Sequence, residues 1–424
     1  MALSEIKPRN MRIGAIFTAA LFLILPSSPV PVNAQTARPP TTAELQKKYI
    51  LTSLTKADMQ IILKDAPPAA RKRMVENPEL KKVQVKQLRE VMAIASEAVK
   101  SGIIDRTVAN ELEITRMEVS AVNYGQRLNK TTGKNPFSAI TPVQVKAFYA
   151  KAGSQARFDR YLKDRIDLIK KMGLLPPDGT IPDEERGEVR DHFAKLAIYD
   201  AEAKLKARVL GAAYKRTVDL KVQLQRVRFL AKLYSDAVLA DKIKVPDEEV
   251  QAYIAGHPEL TGPRKAKALG ILARVKAGED FAALANEFSE DPGNDDTEGG
   301  KFGGLYSDVP LGRMVKPFEQ GAMALEPGQV SQGLVETDYG YHIIKLDRKG
   351  ESDDGKGNRV MTYDVRHILI STTIEDSGNT GGRPVTVNDM VRTKLETAKE
   401  KRVIGEILKN NPVSVAEDFD VSAN

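Results

Sequence analysis

Two of the chain's four histidines occur in matched settings, Tyr339-Gly-Tyr-His342-Ile-Ile and Tyr363-Asp-Val-Arg-His367-Ile-Leu-Ile-Ser371. Each is followed at once by an apolar run rich in β-branched residues, the mark of a buried strand rather than a solvated loop. An imidazole can move protons, ligate a metal or hold a hydrogen-bond network. The other two histidines offer no metal site, because neither His192 nor His257 has a partner at a spacing such as His-Glu-x-x-His. His192 reads as a helix-surface or satisfied core residue and His257, next to Pro258, as an exposed helix end. Cysteine is absent, which removes disulfides, thiolate catalysis and cysteine metal sites together.

To act together the two imidazoles must be brought side by side. The segment 345–358 between them is polar and glycine-rich, so the flanking runs are expected to pair as an antiparallel hairpin. Strand alternation then puts Val365, His367 and Leu369 on one face of their strand, and His342, Ile344 and Leu346 on one face of theirs.

The 424 residues allow two or three domains, and 42% hydrophobic content is enough for real cores. Few aromatics, no tryptophan and 29% charged residues favour helix with a smaller sheet component. The N-terminus reads as an export signal over 1–34: Lys7, Arg9 and Arg12, then the apolar run 13–25, then Val32-Asn-Ala34 before Gln35. That run is shorter than the ~20 residues a membrane-spanning helix needs. Cleavage is expected after Ala34, with no stable membrane insertion afterwards. The export segment carries +2 of the +7 net charge, and the remaining charges alternate in sign along the chain. They read as a solvated helical surface and not as a nucleic-acid stripe.

After the proline-rich 36–42, helical patterns run to about 244. The spacing predicts helices over 80–100, with Val83, Leu88, Val91, Ile94 and Val99 inward, and over 104–129. Thr141-Pro-Val-Gln144 combines a capping threonine, a first-turn proline and a reciprocal glutamine. One long helix or two should fill 183–241, and Pro246 with the acids after it starts another. Two helices follow from 264, the first with Ala268, Leu269, Leu272 and Val275 on one side; a last helix over 385–411 presents Val391, Leu395, Ala398 and Ile407 to a partner.

Six spaced motifs then stand in one order: Gly278-Glu-Asp-Phe-Ala-Ala-Leu-Ala, Phe288-Ser-Glu-Asp-Pro-Gly293, Gly299-Gly300, Met314-Val-Lys-Pro-Phe-Glu319, Leu325-Glu-Pro-Gly-Gln-Val-Ser331 and Thr337-Asp-Tyr-Gly-Tyr-His-Ile-Ile344. This stretch closely resembles the parvulin-type peptidyl-prolyl cis-trans isomerases, over about 264–372. A parvulin normally opens on a strand of the Arg-His-Ile-Leu kind, whereas here Leu260-Thr-Gly-Pro263 stands in that place and Val365-Arg-His-Ile-Leu-Ile-Ser371 comes at the end. The domain therefore looks circularly permuted, its first strand carried to 363–371. Lys301 for an aspartate, Gly304-Leu305 for an aromatic pair and a longer segment before Met314 are further departures from the family.

The resemblance implies an α+β fold class: a mainly helical, chaperone-like domain over 35–244, a connecting helix over 245–263 and a parvulin domain over 264–372 with a four-stranded antiparallel sheet and surrounding helices. A loop, a C-terminal helix packed on the helical domain and a tail would complete it over 373–424, as in exported parvulins of the SurA and PrsA kind. It implies a polar centre of Asp291, His342, His367 and Thr337. An apolar cup of Phe302, Met314 and Phe318, with Tyr339, would take the proline-containing peptide. The histidines would either shape the pocket and tune Asp291 or touch the substrate, the first being preferred. No cofactor and no metal are implied.

The implied activity is prolyl isomerisation (rotamase) that helps exported proteins fold, with unfolded or extended proline-containing polypeptides as partners. The alternative is a holdase whose parvulin module grips peptide without turnover. The place of action would be the periplasm or the medium.

Overall fold

The computed structural model describes residues 41–129, 135–295, 300–353, 359–373 and 385–421. The export segment, Gly299 of the double glycine and most of the polar loop after Thr373 lie outside the described residues. The chain is mostly helical and divides into two compact units, one taking the chain up to Ile243 and again from Lys401, the other Lys244–Glu400. Its strands are β1 (Ser53–Leu54), β2 (Leu305–Pro310), β3 (Val335–Thr337), β4 (Gly340–Asp353), β5 (Arg359–Ser371) and β6 (Ser414–Val415).

In the first unit the helices start where short polar side chains satisfy free backbone N–H groups. Thr41 with Glu44, Thr55 with Asp58 and Thr141 with Gln144 all form reciprocal capping boxes. Glu79–Lys100 buries Val85, Leu88, Val91, Ile94 and Val99, but Val83 is half exposed, because at that turn Val85 takes the core-facing side. The stretch expected as one helix or two splits at Lys206 into Asp183–Leu205 and Ala207–Tyr234, and Gly211, at φ 82°, kinks the second.

One core of this unit gathers Met92, Leu112, Leu230 and Tyr234 and is closed by Ile404, Ile407, Val415 and Phe419 from the chain's end. There β6 pairs in parallel with β1, Leu54 opposite Val415, and the Asn411 amide donates to Glu97 Oε2 at 2.7 Å. The other core is aromatic, with Phe158, Tyr161 and Phe193 fully buried.

The second unit is built on the sheet β2-β5-β4-β3, all antiparallel. Alternation sorts its residues onto two faces. Tyr341, Ile343, Ile368 and Ile370 pack against Gly262–Lys276 and Phe281–Phe288 through Ala268, Ile271, Leu272 and Phe281. Ile344, Leu346 and Val365 pack on the other face with Phe318 and Ala322 of the helix Lys316–Met323. Each of the fully buried aliphatics contributes on the order of 1.5–3 kcal/mol. Leu269, expected inward, is half exposed; the turn faces the sheet through 268, 271, 272 and 275, so Ile271 takes the place assigned to it.

The segment expected as a loop between the histidine strands is largely paired. β4 and β5 continue in register from Gly350 opposite Thr362 to Asp353 opposite Arg359, since a ladder needs backbone groups and not apolar side chains. The helix Val387–Asn410 places Val387 and Val391 in a small core with Val245 and Val250. Leu395 is half-buried there, whereas Ala398 is exposed.

Candidate active site

Register brings the imidazoles together. His342 lies opposite Leu369 and His367 opposite Ile344, so the two histidines are diagonal neighbours on the sheet face that carries Phe318. Both are buried, at 4% and 6% exposure, with Nδ1 of one 3.2 Å from Nδ1 of the other and ring planes within 17°. Phe318 sets its ring edge-on to both, at 5.2 and 5.1 Å between centroids.

The pair is the middle of a longer hydrogen-bond chain. His342 Nε2 lies 2.8 Å from Thr337 Oγ1, and His367 Nε2 lies 2.9 Å from Asp291 Oδ2. The Tyr306 hydroxyl donates to that same Asp291 oxygen at 2.7 Å. A carboxylate can only accept, so His367 donates from Nε2. With both rings neutral, His367 Nδ1 is then bare and accepts from His342 Nδ1–H, and His342 Nε2 accepts the Thr337 hydroxyl proton. The Thr337 oxygen in turn accepts from the Tyr339 N–H at 3.1 Å. Every group in the line thus has a partner of the right kind.

Burial and then the neighbouring His367 charge hold His342 down to about 3, so it stays neutral at ordinary pH. Burial by itself would raise the Asp291 carboxyl, but the hydrogen bonds from His367 and Tyr306 and the His367 charge outweigh it and bring it to about 2. Burial and the bond to Asp291 push the Tyr306 phenol up, which keeps it a donor.

Asp291 is presented by the tight turn Pro292–Asn294, which it caps, its Oδ1 accepting from the Gly293 N–H at 3.3 Å. Asn294 anchors the turn from inside: at 1% exposure, its amide donates to Ala285 O and accepts from the Gly304 N–H at 2.6 Å. Gly304 in turn sits at φ 73°, and a Cβ there would lie 2.3 Å from the His367 carbonyl oxygen. The glycine that replaces an aromatic residue at 304 is therefore what lets this turn approach β5 and accept the His367 N–H at 2.9 Å. Lys301, another of the departures, donates to Asn286 O at 2.6 Å and lies 3.9 Å from Asp295.

Of the apolar residues, Phe318 is 3% exposed and forms the floor beneath the imidazoles. Met314 is half-buried beside it, whereas Phe302 and Tyr339 are half exposed. A cavity of about 260 Å³ is lined by Thr337, Val315, Pro317 and Tyr341 together with Ile254 and Asn388. Sequence reasoning missed Tyr306 and Asn294. Tyr306 stands in a short edge strand without a local motif, and Asn294 looks like an ordinary turn residue. Among the described residues no group of three or more His, Asp or Glu side chains converges as a metal site.

The model of the rotamase family, the PPIC-type PPIase domain, matches residues 259–348. That match ends before β5, so His367 reaches the site from outside it. A foldase protein PrsA of Caldanaerobacter subterraneus subsp. tengcongensis is 32% identical over 314 residues, 69% of this chain and 91% of that protein. A foldase protein PrsA of Geobacillus kaustophilus is 34% identical over 168 residues, 37% of this chain, which spans 57% of its length. A chaperone SurA of Nitrosospira multiformis is 27% identical over 320 residues, 70% of this chain and 68% of that protein. With the match across nearly the whole of one foldase and the isomerase domain model lying on the very motifs that build the site, the chain belongs to the parvulin family of PrsA-type foldases.

Proposed function

We propose that this protein is a peptidyl-prolyl cis-trans isomerase that binds extended, proline-containing segments of exported polypeptides and speeds their folding. The observation that carries this reading is the continuous chain Thr337–His342–His367–Asp291–Tyr306 over the Phe318 floor, inside a domain matched by the isomerase model.

The reaction needs no nucleophile. Rotation about an X–Pro bond meets a barrier of ~18–20 kcal/mol because amide resonance is lost in the twisted state. The planar amide is the more dipolar form, so an apolar seat for the proline ring, built from Phe318, Met314 and Phe302, favours the twisted one. Asp291, held ionised, supplies a negative field that disfavours the resonance form with charge on the carbonyl oxygen. Thr337 and the two imidazoles act by holding Asp291 in place. Tyr339, half exposed beside Thr337, is the candidate contact for the flanking chain.

We also read β5 as the family's first strand carried to the far side of the domain, since it lies between β2 and β4 yet follows the matched segment. The protein acts after export, in the periplasm or outside the cell. Its export signal is the segment 1–34, and among the described residues no helix is long and apolar enough to cross a membrane.

A proline-peptide assay coupled to a conformer-selective protease tests the reading. The full chain should accelerate isomerisation, Asp291→Ala should lower kcat/KM about tenfold or more, and His342→Gln or His367→Gln should lower it less. The reverse order would sink the assignment of Asp291. A holding function is the second reading, with Leu205 and Val209 of the helical unit, 86% and 87% exposed, as apolar side chains open to a client. Suppression of client aggregation that survives Asp291→Ala would place that function apart from catalysis.

A further inference from the structure

Tyr306 reaches Asp291 by three features that serve no other evident end. β2 pairs with β5 through Leu305–Arg366 and Tyr306–Val365 and resumes at Val309–Tyr363, so Ser307 and Asp308 together oppose Asp364. Such a bulge re-aims the strand's side chains. Asp308 lies at φ 50°, a left-handed conformation that few residues other than glycine, asparagine and aspartate adopt. The bulge is held by charge: the Asp308 N–H donates to Asp364 Oδ1 at 2.8 Å, and Arg348 donates to Asp364 Oδ2 at 2.7 Å and to Asp308 Oδ1 at 2.5 Å.

The other end of the contact is Gly293. Its φ is not in the left-handed region, so its backbone does not call for glycine, yet a Cβ there would lie 1.7 Å from the Tyr306 hydroxyl oxygen. Glycine at 293 is what makes room for that hydroxyl beside the carboxylate. The Tyr306 ring also meets His367 edge-on, at 5.3 Å between centroids.

We propose that Tyr306, aimed by the Ser307–Asp308 bulge and admitted by Gly293, is a positioning residue that fixes the orientation of the Asp291 carboxylate. Oδ2 receives both Tyr306 and His367, which locks the carboxyl plane, while among the described residues Oδ1 has only the long bond from the Gly293 N–H. The proposal rests on the reading of Asp291 as the centre of the site.

A double-mutant cycle in the full chain tests it, together with a readout that does not depend on turnover. Tyr306→Phe keeps the ring and removes only the hydroxyl; it should lower kcat/KM five- to tenfold with KM little changed. Gly293→Ala should do the same, and the double variant should be no worse than the poorer single. In an Asp291→Ala background Tyr306→Phe should change kcat/KM less than twofold. The Asp291 13Cγ resonance should titrate at a higher pH in Tyr306→Phe, and the His367 ring resonances should move with it. A tenfold loss that persists in Asp291→Ala, or an unmoved 13Cγ titration, overturns the proposal. If Asp291→Ala leaves turnover intact while the 13Cγ titration moves as stated, the isomerase assignment of Asp291 fails and the clamp stands.

Discussion

Acidification should weaken the second unit through His342, by an amount that can be worked out. The ring is buried and held down to about 3, against 6.5 for the same group in the unfolded chain. The unfolded state therefore binds a proton that the folded state refuses, and stability must fall as pH drops below 6.5 and go on falling toward 3. The slope approaches about 1.4 kcal/mol per pH unit, so the loss from pH 6.5 to about pH 5 is on the order of 1–2 kcal/mol. His342→Gln removes the titrating group while keeping a polar side chain for Thr337. The measurement is amide exchange at Ile343, Ile344 and Ile368 in the full chain, corrected for the intrinsic pH dependence of exchange. The wild-type opening free energy should fall more steeply than that of the variant, by on the order of 1–2 kcal/mol over this interval. Groups remote from the site ionise alike in both proteins and cancel in the difference. Equal slopes would refute the account of His342 as a buried neutral ring.

Other outcomes follow from the same geometry. Gly304→Ala combines a left-handed backbone with a Cβ 2.3 Å from the His367 carbonyl and should cost about 3 kcal/mol or more, read by thermal unfolding. Gly102→Ala, at φ +76° with nothing within 4 Å, should cost only about 1–2 kcal/mol. Phe419→Ala, at a site 2% exposed in the first core, should destabilise the helical unit by about 3–5 kcal/mol, and truncation after Glu400 should cost more. An unchanged denaturation midpoint in either would mean that the chain's end does not stabilise that unit.

Much of this molecule is written in near-neighbour patterns. The helices Glu79–Lys100 and Val387–Asn410 are legible from apolar residues three and four apart, and the capping boxes from four-residue strings. Alternation around His342 and His367 foretells two strands with both imidazoles on one face, and the motif order points to Asp291, Thr337 and Phe318 as their company. The helices, caps and strand alternation are set by residues within a few positions of one another, so the sequence alone determines them; the company of Asp291, Thr337 and Phe318 is legible only through the resemblance to the parvulins. What lies beyond it is long-range placement. Nothing local distinguishes Leu269 from Ile271, or shows Val83 and Ala398 to be outward, because only the partner surface decides which flank of a helix stripe is covered. The two-residue strands β1 and β6 are too short to carry a period and exist only because the chain's end returns to its beginning. Tyr306 meets Asp291 because a bulge, a glycine and a turn coincide in space, and the hydrogen-bond directions along the site start from that carboxylate, which can only accept. The residue types supply the chemistry; the sheet register and the close approach of three backbone segments decide which atoms face one another.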